Sequence, residues 1–487
     1  MCSSGEEDAS RAMPTSTVIL HGWSDCSDSF VDMKKHLSRA GVASVSEIFY
    51  TDYESREDHV TFDDVIDGLN DEFYRRGFIT RDGRKKHDLN IIVHSTGGLV
   101  IRHWLHQHYR RSGNRIDDCP VRRVVMLAPA NFGSPLAHRG KSFLGSLFKG
   151  RWKIGDLLEV GRHLLEGLEL ASPYQWELAH RDLLIDTPYF NDEQIQLTVL
   201  VGVQDYSGLR GWVNKPGTDG TVVIAGTSLD TVKVRLDFSR EKDSAETYTP
   251  FEWESTKTVA EFGFAVLEGL DHGSIVDQAS QAGSPAGDLL VRALQTRRGA
   301  DFARFRGELD AITESTYAST GKDRFQQFIL HAVDEYGAPI EDFTVEFFVV
   351  ASDKRRGEII PRRPTRSESE LGGQMNSILL SEIHTHSRDP SFRRLLVNLR
   401  EVKEKLDEAE RVLGKPVVLA MRLYVPDRDR GIRYDVKSLQ NVVVYDPVAS
   451  AASDSPVFFY QNTTTLVEMW VNRLCDYVTV GTSPRKH

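Results

Sequence analysis

The sequence is poor in cysteine and has no long apolar run. Four cysteines occur among 487 residues, at Cys2, Cys26, Cys119 and Cys475, which is too few and too scattered for a disulfide framework. No segment approaches the roughly 18 consecutive apolar residues that span a bilayer. The start of the chain is polar and lacks the apolar centre of a signal peptide. The sequence therefore favours a cytoplasmic protein, with signal-independent export as the alternative.

Positively charged residues are outnumbered by negatively charged ones. Lys and Arg number 60 against 71 Asp and Glu, which gives a formal net charge of −11, and there is no long basic run. A nucleic-acid-binding surface requires clustered positive charge, so the sequence argues against nucleic acid as the main partner. The length is sufficient for two or three domains with sizeable cores.

Strand and helix patterns alternate through residues 15–300, which predicts an α/β domain with a mostly parallel sheet. Several of these strands, including one at 220–226, are continuous apolar runs of the kind that is buried on both faces. Residues 1–14 are predicted to be disordered. An insertion rich in Leu, Trp and Phe at 136–190 is predicted to form a helical cap.

Residues 325–487 show a different pattern, with β-rich runs separated by turn residues. This pattern predicts an accessory domain resembling an antiparallel β-sandwich, connected through a linker or helix at 301–324. Within it, we expect a charged helix over 392–413 and an exposed loop over 355–373. The accessory domain is predicted to bind a protein partner, to self-associate, or to serve a structural role.

The stretch LNIIVHSTGGLVIRHWL, residues 89–105, changes from an apolar strand to a helical pattern at Ser95. A serine at such a junction fits a nucleophile elbow, whose pattern is Gly-x-Ser-x-Gly. Gly97 matches the second glycine, whereas Val93 stands where the first is expected. The alternative is that the serine only caps the helix.

A serine nucleophile needs a base, an acid that orients the base, and donors for the oxyanion. Asp219 lies in a Thr-Asp-Gly turn, and His272 follows the predicted strand at 261–269. The chain order serine, aspartate, histidine is that of an α/β-hydrolase. Asp205 and Asp230 are the rivals of Asp219 for the role of the acid.

The first strand ends in His21-Gly22-Trp23, and its loop can present a main-chain N–H group to an oxyanion. We predict that the N–H groups of Trp23 and Thr96 form the oxyanion hole, and that His21 orients the loop. The residues predicted to bind substrate are His21, Phe132, Leu144 and Trp152.

Five motifs in order, VILHGWSD, VHSTGGLV, LAPANFGSP, GTDGTVV and DHGSIV, resemble the lipase branch of the α/β-hydrolase superfamily, which includes bacterial triacylglycerol lipases and related esterases. The resemblance covers roughly residues 15–295. It implies a catalytic triad of Ser95, Asp219 and His272, with the segment 136–190 as a lid over the site.

We therefore expect a serine hydrolase that cleaves carboxylic esters, with lipid-like or acyl esters as substrates and no cofactor. One alternative is an exported antibacterial phospholipase toxin, and another is a hydrolase-like protein that binds without catalysis. His384 and His386 would share one face of a strand, but they have no evident third ligand, so no metal site is predicted.

Overall fold

The computed structural model describes residues 15–21, 27–42, 44–49, 59–111, 116–137, 162–206, 214–239, 253–352, 364–426, 432–434, 442–447 and 457–474. The strands are β1 (Thr15–His21), β2 (Val45–Phe49), β3 (Asp88–His94), β4 (Val121–Leu127), β5 (Gln196–Gly202), β6 (Thr231–Asp237), β7 (Glu254–Lys257), β8 (Phe262–Leu267), β9 (Phe325–Asp334), β10 (Thr344–Ala351), β11 (Ile383–Thr385), β12 (Phe392–Asn398), β13 (Val417–Tyr424), β14 (Arg433–Tyr434), β15 (Val442–Tyr445), β16 (Thr464–Val471) and β17 (Arg473–Leu474).

The α-helices are α1 (Ser27–Arg39), α2 (Phe62–Arg75), α3 (Gly97–Leu105), α4 (Arg162–Leu168), α5 (Pro173–Asp182), α6 (Ile224–Thr227), α7 (Ser274–Ala279), α8 (Pro285–Gln295), α9 (Ala300–Thr320), α10 (Arg366–Leu379) and α11 (Leu399–Leu413). A π-helical turn, His106–Arg111, continues α3, and a short 3-10 helix spans Ile116–Asp118. Among the described helices, none combines the length and the apolar composition that crossing a membrane would require.

Six parallel strands form the first sheet, in the order β2-β1-β3-β4-β5-β8. Strand β5, which lies between β4 and the edge strand β8, is buried along its whole length, as expected for an apolar strand covered on both faces. Helix α3 packs on β3, α8 on β4 and α9 on β8. The prediction of a mostly parallel sheet is confirmed. Because the strands are parallel, their carboxyl ends meet along one edge of the sheet.

A second sheet of six strands has the order β11-β12-β9-β16-β6-β7, and a three-stranded antiparallel sheet has the order β10-β13-β15. Strand β16 runs parallel to both β9 and β6, whereas the other pairs of the second sheet are antiparallel. Apolar side chains from both sheets form a second core, which includes Phe328, Val349, Leu395, Met421 and Val467. The predicted β-rich C-terminal region is confirmed, but its larger sheet is mixed rather than purely antiparallel.

Strands β6 and β7 precede residue 300 in the chain, yet they belong to the second sheet because β6 pairs with β16. The two cores also meet, since Ile329, Phe392 and Leu466 are part of the core of the first sheet. The division of the chain at residues 300 and 325 stays a prediction, and strand pairing crosses it.

The prediction of a strand at 220–226 is wrong. The carboxylate of Asp219 accepts hydrogen bonds from the N–H groups of Thr221 and Val222, which curls the chain into a turn. The short helix α6 follows, and the next strand begins only at Thr231. The apolar side chains here are buried by packing at the junction of the two units rather than by a strand ladder.

Two expectations for the C-terminal region also need correction. Residues 392–398 form β12, paired with β9, and the helix begins after Asn398, whose side chain accepts the N–H groups of Arg400 and Glu401. Much of the predicted loop at 355–373 is helical, because a capping box of Thr365 and Glu368 starts α10 there. Residues 353–363 lie outside the described residues.

The insertion at 136–190 contributes α4 and α5, while its residues 138–161 lie outside the described part of the chain. The end of α4 is joined to the C-terminal region by the buried Glu169. Its carboxylate accepts hydrogen bonds from His384 Nε2 at 2.9 Å and from Ser387 Oγ at 2.6 Å, and His386 Nε2 lies 3.7 Å away. His386 Nε2 also bonds to the main-chain oxygen of Glu166 in α4, at 3.4 Å. These contacts anchor the cap to the C-terminal region.

A buried ion pair connects the cap to α3, the helix that follows Ser95. Arg102 of α3 and Asp182 of α5 are both fully buried, and the guanidinium donates to both carboxylate oxygens, at 2.7 and 3.0 Å. A further guanidinium N–H donates to the main-chain oxygen of Asn131 at 3.1 Å. Burying two charges is costly, and the bidentate geometry with its extra acceptor offsets that cost.

We predict that Arg102→Met destabilises the protein by about 3–5 kcal/mol, because Asp182 is left as an unpaired buried charge. Urea denaturation monitored by circular dichroism measures the change. The double variant Arg102→Met/Asp182→Leu removes both charges and should recover most of the loss. A single variant within about 1 kcal/mol of wild type would contradict this account.

Candidate active site

The strand-to-helix junction at Ser95 has the geometry of a nucleophile elbow. Ser95 has a φ of +54°, in the left-handed region that side chains other than glycine rarely adopt. Its N–H donates to Leu127 O at 3.1 Å, and its carbonyl accepts from Gly98 at 3.2 Å and Ala130 at 3.0 Å. These bonds hold the strained residue in place, with a partly exposed side chain.

The elbow is tight on the side that follows the serine. A Cβ atom added to Gly98 would lie 2.7 Å from Pro129 Cβ and 2.8 Å from Asn131 Oδ1. Only a glycine lets α3 approach the loop that follows β4 this closely. Val93 is fully buried within β3 and pairs with Leu20 and Met126.

His272 follows β8 and lies beside the serine. Its Nε2 is 3.1 Å from Ser95 Oγ, and its Nδ1 is 2.9 Å from Asp219 Oδ2. If Nδ1–H donates to the carboxylate, Nε2 carries no proton and can accept that of the serine hydroxyl. The side chains of His272 and Asp219 are fully buried. The three residues predicted as a triad therefore form one hydrogen-bonded series.

The turn that carries Asp219 is held by a network that sequence reasoning missed. Thr221 donates its N–H to Asp219 Oδ1, and its hydroxyl bonds to that of Tyr206 at 2.7 Å. Ser134 Oγ donates to the Thr221 carbonyl at 2.6 Å. Ser134 belongs to the motif LAPANFGSP, which was the available signal, but nothing local to Tyr206 pointed to this role.

The two rivals of Asp219 are engaged elsewhere. Asp205 forms an ion pair with Lys322 at 2.6 Å, and Asp230 lies 3.3 Å from the ammonium of Lys257. The carboxylate that the described structure brings to the His272 ring is that of Asp219.

The remaining predicted residues are only partly covered by the structure. Thr96 directly follows the serine, and its N–H has no acceptor among the described residues. Phe132 is fully buried and lies 5.7 Å from the guanidinium of Arg102, so the described structure places it in the core. His21 ends β1. The predicted oxyanion donor Trp23 and the predicted substrate contacts Leu144 and Trp152 lie outside the described residues.

No family model and no curated protein matches the chain. Among solved structures, phospholipase PlaB from Legionella pneumophila is similar over 98% of this chain and 98% of its own, with a TM-score of 0.74 and 20% sequence identity. A second structure of PlaB, in complex with thio-NAD, matches over 97% of both chains, with a TM-score of 0.72 and 20% identity. The chain has an α/β-hydrolase fold, which confirms the predicted fold class.

We predict that Gly98→Ala destabilises the protein by about 1–3 kcal/mol, because the added methyl group overlaps the Pro129 ring and the Asn131 side chain. Urea denaturation measures the loss. Gly307→Ala is the matched control, since Gly307 lies within α9 and its added Cβ meets no atom within 4 Å. The control should be neutral or up to about 1 kcal/mol more stable through helix propensity. Equal behaviour of the two variants would contradict the packing account.

Proposed function

We propose that this chain is a serine hydrolase that cleaves carboxylic esters through an acyl-enzyme intermediate. The observation that carries the proposal is the continuous series from Ser95 Oγ through the His272 ring to the Asp219 carboxylate, with contacts of 3.1 and 2.9 Å. The left-handed backbone of the serine supports the same role, because strain of this kind presents a nucleophile at a strand end.

In this mechanism, Ser95 Oγ attacks the ester carbonyl carbon while its proton moves to His272 Nε2. Asp219 holds the ring in the required tautomer and stabilises the imidazolium that forms. The Thr96 N–H stabilises the oxyanion, and we expect the Trp23 N–H to be the second donor. The imidazolium gives its proton to the departing alcohol, which leaves the acyl group on the serine. A water molecule, deprotonated by His272, then releases the carboxylic acid.

The proposed substrates are lipid esters, and phospholipids are the first class to test. A phospholipase shares this fold across 98% of both chains, so the likeness includes the C-terminal sheets as well as the α/β unit. Described apolar residues of the cap, Leu164, Leu168 and Trp176, are buried in the core of the first sheet. Acyl-chain contacts by Leu144 and Trp152 stay predictions.

We expect Ser95→Ala to lower ester hydrolysis by about 10⁴-fold or more, because the variant cannot form the acyl-enzyme. The wild-type protein should be labelled at Ser95 by a fluorophosphonate probe, as located by peptide mass spectrometry, and should hydrolyse p-nitrophenyl esters. Ser377→Ala is the control, since Ser377 is an exposed residue of α10 in the C-terminal region, where its hydroxyl donates to the main-chain oxygen of Gly373 at 3.1 Å.

A panel of p-nitrophenyl esters of rising chain length, a glycerophospholipid and a triacylglycerol separates the substrate classes. Faster hydrolysis of the glycerophospholipid than of the triacylglycerol supports phospholipids as the substrate class. A preference for p-nitrophenyl esters with short acyl chains overturns the proposal of lipid esters. A wild-type protein that neither reacts with the probe nor hydrolyses any ester would overturn the enzymatic proposal and favour a binding protein with this fold.

A further inference from the structure

The residue directly before the serine, His94, lies at the end of β3 and has no role in the mechanism above. Its side chain is 5% exposed. Its Nε2 lies 3.1 Å from the main-chain oxygen of His272, and the two imidazole rings are 4.7 Å apart between centroids. His94 therefore contacts both the main chain and the ring of His272, the proposed base.

The chemistry of the contact decides which partner donates. A main-chain carbonyl only accepts hydrogen bonds, so His94 Nε2 must carry the proton. The bond needs a donor at that position but no positive charge. A neutral ring with its proton on Nε2 meets this requirement, and it avoids placing a second cation beside the imidazolium that forms on His272 during acyl transfer.

The main chain of His272 is held on both sides. Its N–H donates to the Asp219 carbonyl at 3.0 Å, and its carbonyl accepts from His94. One anchor belongs to the proposed acid, and the other is adjacent to the proposed nucleophile. The ring of His272 contacts the side chains of Asp219 and Ser95. Its main chain is fixed by Asp219 and by the residue before Ser95.

We propose that His94 is a positioning residue, which fixes the loop of His272 so that Nε2 of the base stays within reach of Ser95 Oγ. This inference rests on the proposed function and adds a residue to it. If His94 only filled space in the core, a ring of the same volume would be sufficient. A positioning role requires in addition the hydrogen-bond donor on Nε2. The two roles are therefore separable by substitution.

Two variants make the separation. His94→Phe keeps a ring of similar size without a donor, and it should lower kcat by about 10–100-fold with KM within about twofold, because small misplacements of a reacting group carry costs of this order. His94→Gln restores a neutral N–H donor and should stay within about threefold of wild-type kcat. Equal losses in both variants, or no loss in His94→Phe, would overturn the proposal.

Hydrogen exchange followed by mass spectrometry tests whether His94 fixes the loop of His272, and it does not require a catalytic reaction. Amides of the segment 271–274 should exchange about 10-fold faster in His94→Phe than in wild type or His94→Gln. His36→Phe is the control, because it removes another histidine contact to a main-chain carbonyl, His36 Nε2 to Gly287 O at 3.4 Å, away from the triad. Unchanged exchange at 271–274 in His94→Phe would overturn the proposal even if the protein proved to hydrolyse no ester.

Discussion

The buried carboxylate of Asp219 is the constraint on which the candidate site depends. A carboxylate removed from water is unfavourable unless hydrogen bonds replace its hydration. Two main-chain N–H groups, from Thr221 and Val222, satisfy Oδ1, and the His272 ring satisfies Oδ2. The same bonds therefore fold the turn and orient the imidazole. Local stability and the geometry of the proposed chemistry have one physical cause here.

The C-terminal region supports this turn from the other side. The ring of Phe325, at the start of β9, packs closely against Gly217, whose positive φ and lack of a side chain make the approach feasible. Thr464 of β16 donates its hydroxyl to the Ala225 carbonyl and its N–H to the Asp230 carbonyl. Because β6 continues from this segment into the second sheet, the turn is fixed between the two units rather than exposed at the edge of one.

Much of the first unit could be predicted because its signals are local. Apolar runs marked the parallel strands, and the order of the motifs pointed to Ser95, Asp219 and His272, which the fold brings together. The errors arose where tertiary contacts decide. The apolar run at 220–226 has the pattern of a strand, but hydrogen bonds to the Asp219 carboxylate bend it into a turn. Residues 392–398 fit a helical pattern, but they form a strand because they pair with β9. The contact between His94 and His272 joins positions 178 apart, and no local pattern reports it.

Val93 shows how the elbow tolerates a departure from the glycine pattern. Crowding would be expected where a β-branched residue stands two positions before a strained serine. Val93 is instead an ordinary buried strand residue, paired on both sides within the sheet. The close approach falls after the serine, where Gly98 passes the Pro129 ring with no room for a Cβ atom. The steric requirement of this elbow therefore lies on its helical side, and the strand side is free to carry the apolar bulk that a central strand needs.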